Sequence, residues 1–190
     1  MSKDDDTLNL TGKFLIAMPG LGDPRFDSSV IYMCDHSEKG AMGLIVNKPL
    51  RQGSFKALCN QLSIENTGNR EIPILFGGPV ETSRGFVLHS ADFSSEFSTQ
   101  EIGYNLYLTS TRDIIEALAE GHTPVNAGLF MGYAGWGAGQ IESELVCNGW
   151  LVSDADEDLV LDAAHDGKWT AALSLLGIDA MMLSSDAGRA

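Results

Sequence analysis

Ser29-Val30-Ile31-Tyr32-Met33-Cys34-Asp35-His36, then Ser37-Glu38-Lys39-Gly40, then Ala41-Met42-Gly43-Leu44-Ile45-Val46-Asn47, is the stretch on which the fold turns. Residues 29–36 and 42–47 are rich in strand-forming types, and the four residues 37–40 between them are turn chemistry. That arrangement predicts an antiparallel hairpin. Pairing across the turn sets His36 opposite Ala41 and Cys34 opposite Gly43. On this register Cys34 and His36 are i, i+2 neighbours on one face, about 7 Å apart along the chain. Two small residues opposite leave room beside both side chains.

On the N-terminal side, Phe14 to Met18 is a short apolar strand ended by Pro19, and Pro19-Gly20-Leu21-Gly22-Asp23-Pro24 is a turn. On the C-terminal side, Phe55, Leu58, Cys59 and Leu62 recur at helical spacing, which predicts a helix over 54–62. Strands follow at 72–76 and 85–89, separated by Gly77-Gly78-Pro79, and another at 105–109. Ser110 and Asp113 form a capping pair for a helix that Gly121 stops. Residues 128–133 read as a strand, Gly135 to Gly139 as a tight turn, 140–145 as a helix and 150–152 as a last strand. Two short helices close the chain, the second with Trp169, Ala172, Leu173 and Leu176 on one face. Strands outnumber helices and the hairpin is antiparallel, so the fold class is α+β and not a doubly wound parallel sheet. The acidic first few residues and the tail from about Ser184 read as frayed ends.

The chain has 190 residues, enough for one domain with a sizeable core. Apolar residues make up 44% and charged residues 20%, the balance of a folded chain and not a disordered one. Acidic residues outnumber basic ones 26 to 12, and the excess is uneven. Residues 1–88 hold nine Lys/Arg against ten Asp/Glu, whereas residues 89–190 hold three against sixteen. A phosphate-binding groove is hard to build from that second half, so direct nucleic-acid binding is not expected. The start, Met1-Ser2-Lys3-Asp4-Asp5-Asp6, is acidic where a signal peptide is basic. The apolar runs fall far short of the roughly 20 residues that span a bilayer. Three cysteines, Cys34, Cys59 and Cys147, form no CxxC pair. A cytoplasmic protein with free thiols, no membrane contact and no metal site is the reading.

Cys34 with His36 is the sharpest chemical pair, because an imidazolium beside a thiol favours a nucleophilic or redox-sensitive thiolate. Against it stands the ordinary reading of Cys34 as a buried small hydrophobe. Cys59 and Cys147 read as core. Gly77 and Gly78 can present successive N–H groups to an anion, or simply reverse the chain. Gly135-x-Gly137-x-Gly139 has the wrong offset for a dinucleotide fingerprint, and no P-loop lysine follows.

Three blocks together resemble the bacterial YqgE/AlgH family. The first runs Phe14-Leu15-Ile16-Ala17-Met18-Pro19, Asp23-Pro24-x-Phe26, Ser29-Val30, Cys34-x-His36 and Gly40-Ala41-Met42-Gly43-x-Ile45-Val46-Asn47-Lys48-Pro49. The second is Gly77-Gly78-Pro79-Val80 with Arg84-Gly85-Phe86-x-Leu88-His89. The third is Gly132-Tyr133-Ala134-Gly135-Trp136-x-x-Gly139-Gln140-x-Glu142 with Asn148-x-Trp150. The resemblance covers about residues 10–178 and implies a single domain there, between a flexible N-terminus, 1–9, and a C-terminal tail, 179–190. Its fold is expected to be coiled, bifurcated, largely antiparallel β-sheets with surrounding short helices, in the bacterial cytoplasm. It brings no established reaction; one branch takes its name from a proposed transcriptional regulator of alginate production. The expectation is a regulatory or binding protein acting through a protein or small-molecule partner, with no cofactor. Its binding residues are expected at Asn47, Lys48, Gly77 and Gly78, near Cys34 and His36. The alternative is a thiol-based enzyme or redox sensor using Cys34 with His36.

Overall fold

A computed structural model of the chain describes residues 8–103, 105–162 and 164–183. Nine strands, β1 (Lys13–Ala17), β2 (Val30–Ser37), β3 (Gly40–Ile45), β4 (Ile74–Phe76), β5 (Val80–His89), β6 (Thr99–Glu101), β7 (Tyr107–Thr109), β8 (Ala127–Gly137) and β9 (Trp150–Asp154), form one sheet. Five short helices surround it: α1 (Phe55–Gln61), α2 (Arg112–Glu120), α3 (Gln140–Val146), α4 (Glu157–Leu161) and α5 (Lys168–Leu175). The strand order is β6-β7-β5-β8-β3-β2-β1-β9, with β4 added to β8 as the single parallel pair. This is the α+β, largely antiparallel architecture that the hairpin implied.

β8 is the hinge of the sheet. Its first half pairs with β5 on one edge and with β4 on the other; its second half pairs with β3. Gly132 separates the halves with φ +71°, a conformation that glycine adopts without steric cost. There the chain passes from β4 to β5 through Gly77-Gly78-Pro79, crossing from one side of β8 to the other. The two backbones touch. A Cβ on Gly78 would lie 2.0 Å from the Tyr133 carbonyl carbon, and one on Gly77 would lie 2.2 Å from the Gly132 oxygen. Gly77 also donates its N–H to Met131 O (2.8 Å) and accepts from Ile45 N (2.9 Å), so it ties β8 to β3.

The glycine-rich run therefore behaves differently from the expected turn. The strand continues through Gly135-Trp136-Gly137, paired to β3, and the turn shrinks to Ala138-Gly139 with Gly139 at φ +70°. Glycine weakens a strand on its own, but pairing with β3 outweighs that preference.

The hairpin also departs from its expected register. Only Glu38 and Lys39 form the loop, and His36 pairs with Ala41 as read. A β-bulge then intervenes: Met33 pairs with Gly43 and Asp35 with Met42, leaving Cys34 as the extra residue. The bulge inverts side-chain alternation. Val30, Tyr32 and Cys34 join the core under α4 and α5, with Phe14, Phe86 and Phe130. Ile31 and Met33 join a second core on the opposite face, with Leu15, Trp136 and Trp150. A third core lies under α1 and α2. Each fully buried aromatic or aliphatic side chain contributes about 1.5–3 kcal/mol.

The caps follow the sequence with small offsets. Gly121 ends α2 at φ +87°, while the N-cap is Thr111, one residue after the expected Ser110. Leu176 caps α5 and is partly exposed, outside the apolar face expected for it. Asp179 caps a 3₁₀ turn over Ala180–Met182, and Ala180 and Leu183 pack on the first core. The remainder of the two expected flexible ends, residues 1–7 and 184–190, lies outside the described residues.

Lys168 opens α5 fully buried, and its Nζ donates to Val46 O (3.0 Å) and Val160 O (2.8 Å). Loss of hydration pushes its pKa down to about 8, against a partial opposing pull from Asp162.

Two stability measurements follow from these contacts. Gly78→Ala, which drives a Cβ into backbone, should lose about 3 kcal/mol or more in urea melts. Gly137→Ala, whose nearest neighbour would be 3.9 Å away, should be nearly neutral. For Lys168, the unfolded chain retains its proton up to about pH 10.5 while the folded chain releases it near 8. Stability of the wild type relative to Lys168→Met should thus rise between those pH values, by up to about 3 kcal/mol. A flat difference would contradict the burial of a charged ammonium.

Candidate functional site

Cys34 and His36 do not meet. The bulge puts Cys34 on the face of the first core, whereas His36 turns to the second with Met33 and Ala41. Cys34 is buried and its Sγ donates to Tyr32 O at 3.7 Å. Burial, with a smaller contribution from Asp35, pushes the thiol far above its ordinary range. Burial at that position disfavours the thiolate. The expected same-face pair is thus corrected by one inserted residue.

His36 has a structural use. Its Nδ1 accepts from Leu10 N (3.2 Å), so Nε2 carries the proton and donates to Glu142 Oε1 at 2.8 Å. The Glu142 carboxyl is held below its usual range by its own backbone N–H and by His36. The imidazole thereby pins the start of α3 to the hairpin.

Asn47, Lys48, Gly77 and Gly78 are brought near one another but are spent on backbone. Asn47 Oδ1 accepts from Val30 N (2.9 Å) and its Nδ2 donates to Ser28 O (2.8 Å), extending the β2–β3 ladder with a side chain. Lys48 Nζ donates to Arg25 O at 2.9 Å, and desolvation lowers its pKa. The Gly77 N–H expected to meet an anion is already given to Met131. Among the described residues, no group of three His, Cys, Asp or Glu side chains is placed to hold a metal.

A cleft of about 940 Å³ lies between the Met18–Phe26 segment, the end of β8, α3 and the start of β9, with Met182 and Leu183 also in its lining. Its organising group is Glu144. Oε2 accepts from both indoles, Trp136 Nε1 at 3.0 Å and Trp150 Nε1 at 2.8 Å, and Oε1 accepts from Gln140 Nε2 at 3.0 Å. The two indoles meet edge-on at 6.1 Å, and Phe26 packs edge-on against Trp150 at 5.6 Å. At the rim, Arg25 clamps Asp23 through Nε and an Nη, the latter at 2.6 Å, and that bond holds the Asp23 carboxyl below its usual range. Charge-assisted N–H bonds of this kind are about twice as strong as neutral ones, so the aromatic walls are fixed before any ligand arrives. Cys147, expected in the core, is exposed at this cleft.

Sequence reasoning missed this site because its parts lie on three elements. One signal existed: Gln140 and Glu144 at i, i+4 on a short helix flanked by Trp136 and Trp150. The tight Ala138-Gly139 turn and the return into β9 bring both indoles to one side of that helix.

The family model described as AlgH-like matches residues 14–181. The chain belongs to the AlgH-like family. A UPF0301 protein of Ruegeria pomeroyi is 51% identical over 185 residues, covering 96% of this chain and 100% of that protein. One from Paracoccus denitrificans is 53% identical over 189 residues, 98% and 100% of the two chains. The solution structure of the AlgH protein from Pseudomonas aeruginosa superposes with a TM-score of 0.78 at 38% identity, covering 100% of both chains. A Corynebacterium diphtheriae protein, DIP2367, shares the fold at a TM-score of 0.69 and 18% identity, over 87% of this chain and 86% of that one. All the residues of the indole cleft named above except Met182 and Leu183 fall inside the span of the AlgH-like match. Among the described residues, no helix is long and apolar enough to cross a membrane.

Alkylation at neutral pH, followed by mass spectrometry, checks the thiol assignments. Cys147 should react first, and Cys34 and Cys59 should react only on unfolding. His36→Ala should leave the order unchanged. Rapid labelling of Cys34 in folded protein, slowed by that substitution, would restore the thiol pair.

Proposed function

We propose that this AlgH-like protein is a regulatory or binding protein of the cytoplasm that works by holding a small ligand or a segment of a protein partner in the indole cleft. The observation that carries this reading is the three-donor clasp on Glu144. It spends a carboxylate on fixing Trp136, Trp150 and Gln140 around a hollow, as a preorganised binding site requires. Aromatic walls with a few convergent polar groups suit ligand recognition, and tryptophan and arginine are the residues that most often anchor interfaces. The acidic second half of the chain, which supplies Glu144, weighs against direct contact with nucleic acid.

The test is retention from the low-molecular-weight fraction of a bacterial extract, read by native mass spectrometry and by tryptophan emission. Wild type should retain a species that perturbs the emission. Arg25→Glu and Phe26→Ala, which alter the rim and one wall, should each lose about tenfold in affinity. Retention unaffected by both substitutions, or no retention, would count against the cleft.

A further inference from the structure

The indole cleft meets a second hollow, of about 600 Å³, along one short piece of strand. Val80, Gly135 and Trp136 border both cavities. This is where β5 leaves β8. Val80 pairs with Tyr133, and the chain before Val80 crosses over to β4. Beyond Tyr133, β8 continues from Ala134 to Gly137 with β3 on one edge. Among the described residues, no strand covers its other edge.

The direction of the backbone groups follows from the hairpin. Ser37 and Gly40 close a two-residue loop, so Gly40 turns its N–H and C=O toward β2. Alternation then turns Ala41 and Gly43 toward β8, where they pair with Trp136 and Ala134. Gly135 and Gly137 consequently face away from β3. The Gly137 N–H is taken by Gln140 Oε1 at 3.0 Å. The exposed Gly135 keeps an N–H and a C=O on the open edge, and neither has a partner among the described residues.

Side chains alternate around that edge. Trp136 turns to the cleft it shares with Trp150, while the missing side chain of Gly135 opens the opposite hollow beside Met42. Lys39 and Arg84 border this hollow, with Asp35 as the one carboxylate in its lining. Arg84 lies over the Phe86 ring at 4.9 Å and reaches Glu81 at 3.1 Å; Lys39 has no ion pair among the described residues.

We infer that the protein binds an extended segment of a partner polypeptide as an added strand on the Ala134–Gly137 edge. Partner backbone exchanges hydrogen bonds with Gly135, an apolar or aromatic side chain enters the indole cleft, and its acidic neighbours in sequence face Lys39 and Arg84. An unpaired donor and acceptor on a strand edge, with a pocket on each face, matches the two-residue period of a strand. This rests on the cleft as a binding site and specifies its occupant.

The probe is a displayed library of decapeptides in which acidic and apolar residues alternate, selected on the full chain. Selected peptides should shift the Gly135 amide proton and slow its exchange by about tenfold or more. N-methylation of alternate peptide amides should cost about tenfold in affinity for each blocked bond. Lys39→Glu and Arg84→Glu should each weaken binding by about tenfold, chiefly at low salt. A library with no binder, or binders that leave the Gly135 amide unmoved, would overturn strand addition. N-methylated peptides that bind undiminished and still change tryptophan emission would overturn it while leaving the cleft itself standing.

Discussion

The rest of the molecule depends on one backbone contact, the passage of Gly77-Gly78 across Gly132-Tyr133. Three glycines stand at that crossing because a Cβ on any of them would overlap the other chain. The crossing lets β8 serve two neighbourhoods in turn, β4 with β5 below Gly132 and β3 above it. Without it, β5 would continue alongside β8 to its end. The sheet forks instead, and half of one strand edge is left open.

The proposed binding geometry is built on this fork. Above it, α3 doubles back under β8 and brings Glu144 between Trp136 and Trp150. His36, freed from Cys34 by the bulge, anchors the same helix through Glu142. The polar residues that look chemical in the sequence thus act mainly as fasteners. They hold an aromatic cleft on one face of the open edge, with two cations by the hollow on the other. Burial of Cys34 and the use of Gly77 as a backbone clamp leave that cleft as the part of the molecule best built to receive something.

Much of this was legible in the sequence, and the exceptions have physical reasons. Strand periodicity at 29–47, helical spacing at 55–62 and the stop at Gly121 are local signals, and the structure follows them. The β-bulge at Cys34 is not local. Packing of Cys34 with Phe14 and Tyr32 on one face, while His36 bonds Leu10 and Glu142 on the other, selects it over the regular register. Gly135 to Gly137 carries turn composition, yet pairing with β3 makes it a strand. β6 leaves no signal in the sequence, because its three polar residues, Thr99-Gln100-Glu101, show no apolar alternation. The Glu144 clasp joins residues that only the completed fold brings together, so types and spacing alone did not expose it.

Amide hydrogen exchange in the free protein, followed residue by residue by NMR, tests the account most directly. The Gly135 amide should exchange at nearly the rate of an unstructured peptide, while its neighbours Ala134 and Trp136, bonded to β3, are strongly protected. Protection of Gly135 equal to theirs would mean that the edge is already covered, and would contradict the proposal that this AlgH-like protein binds at the fork.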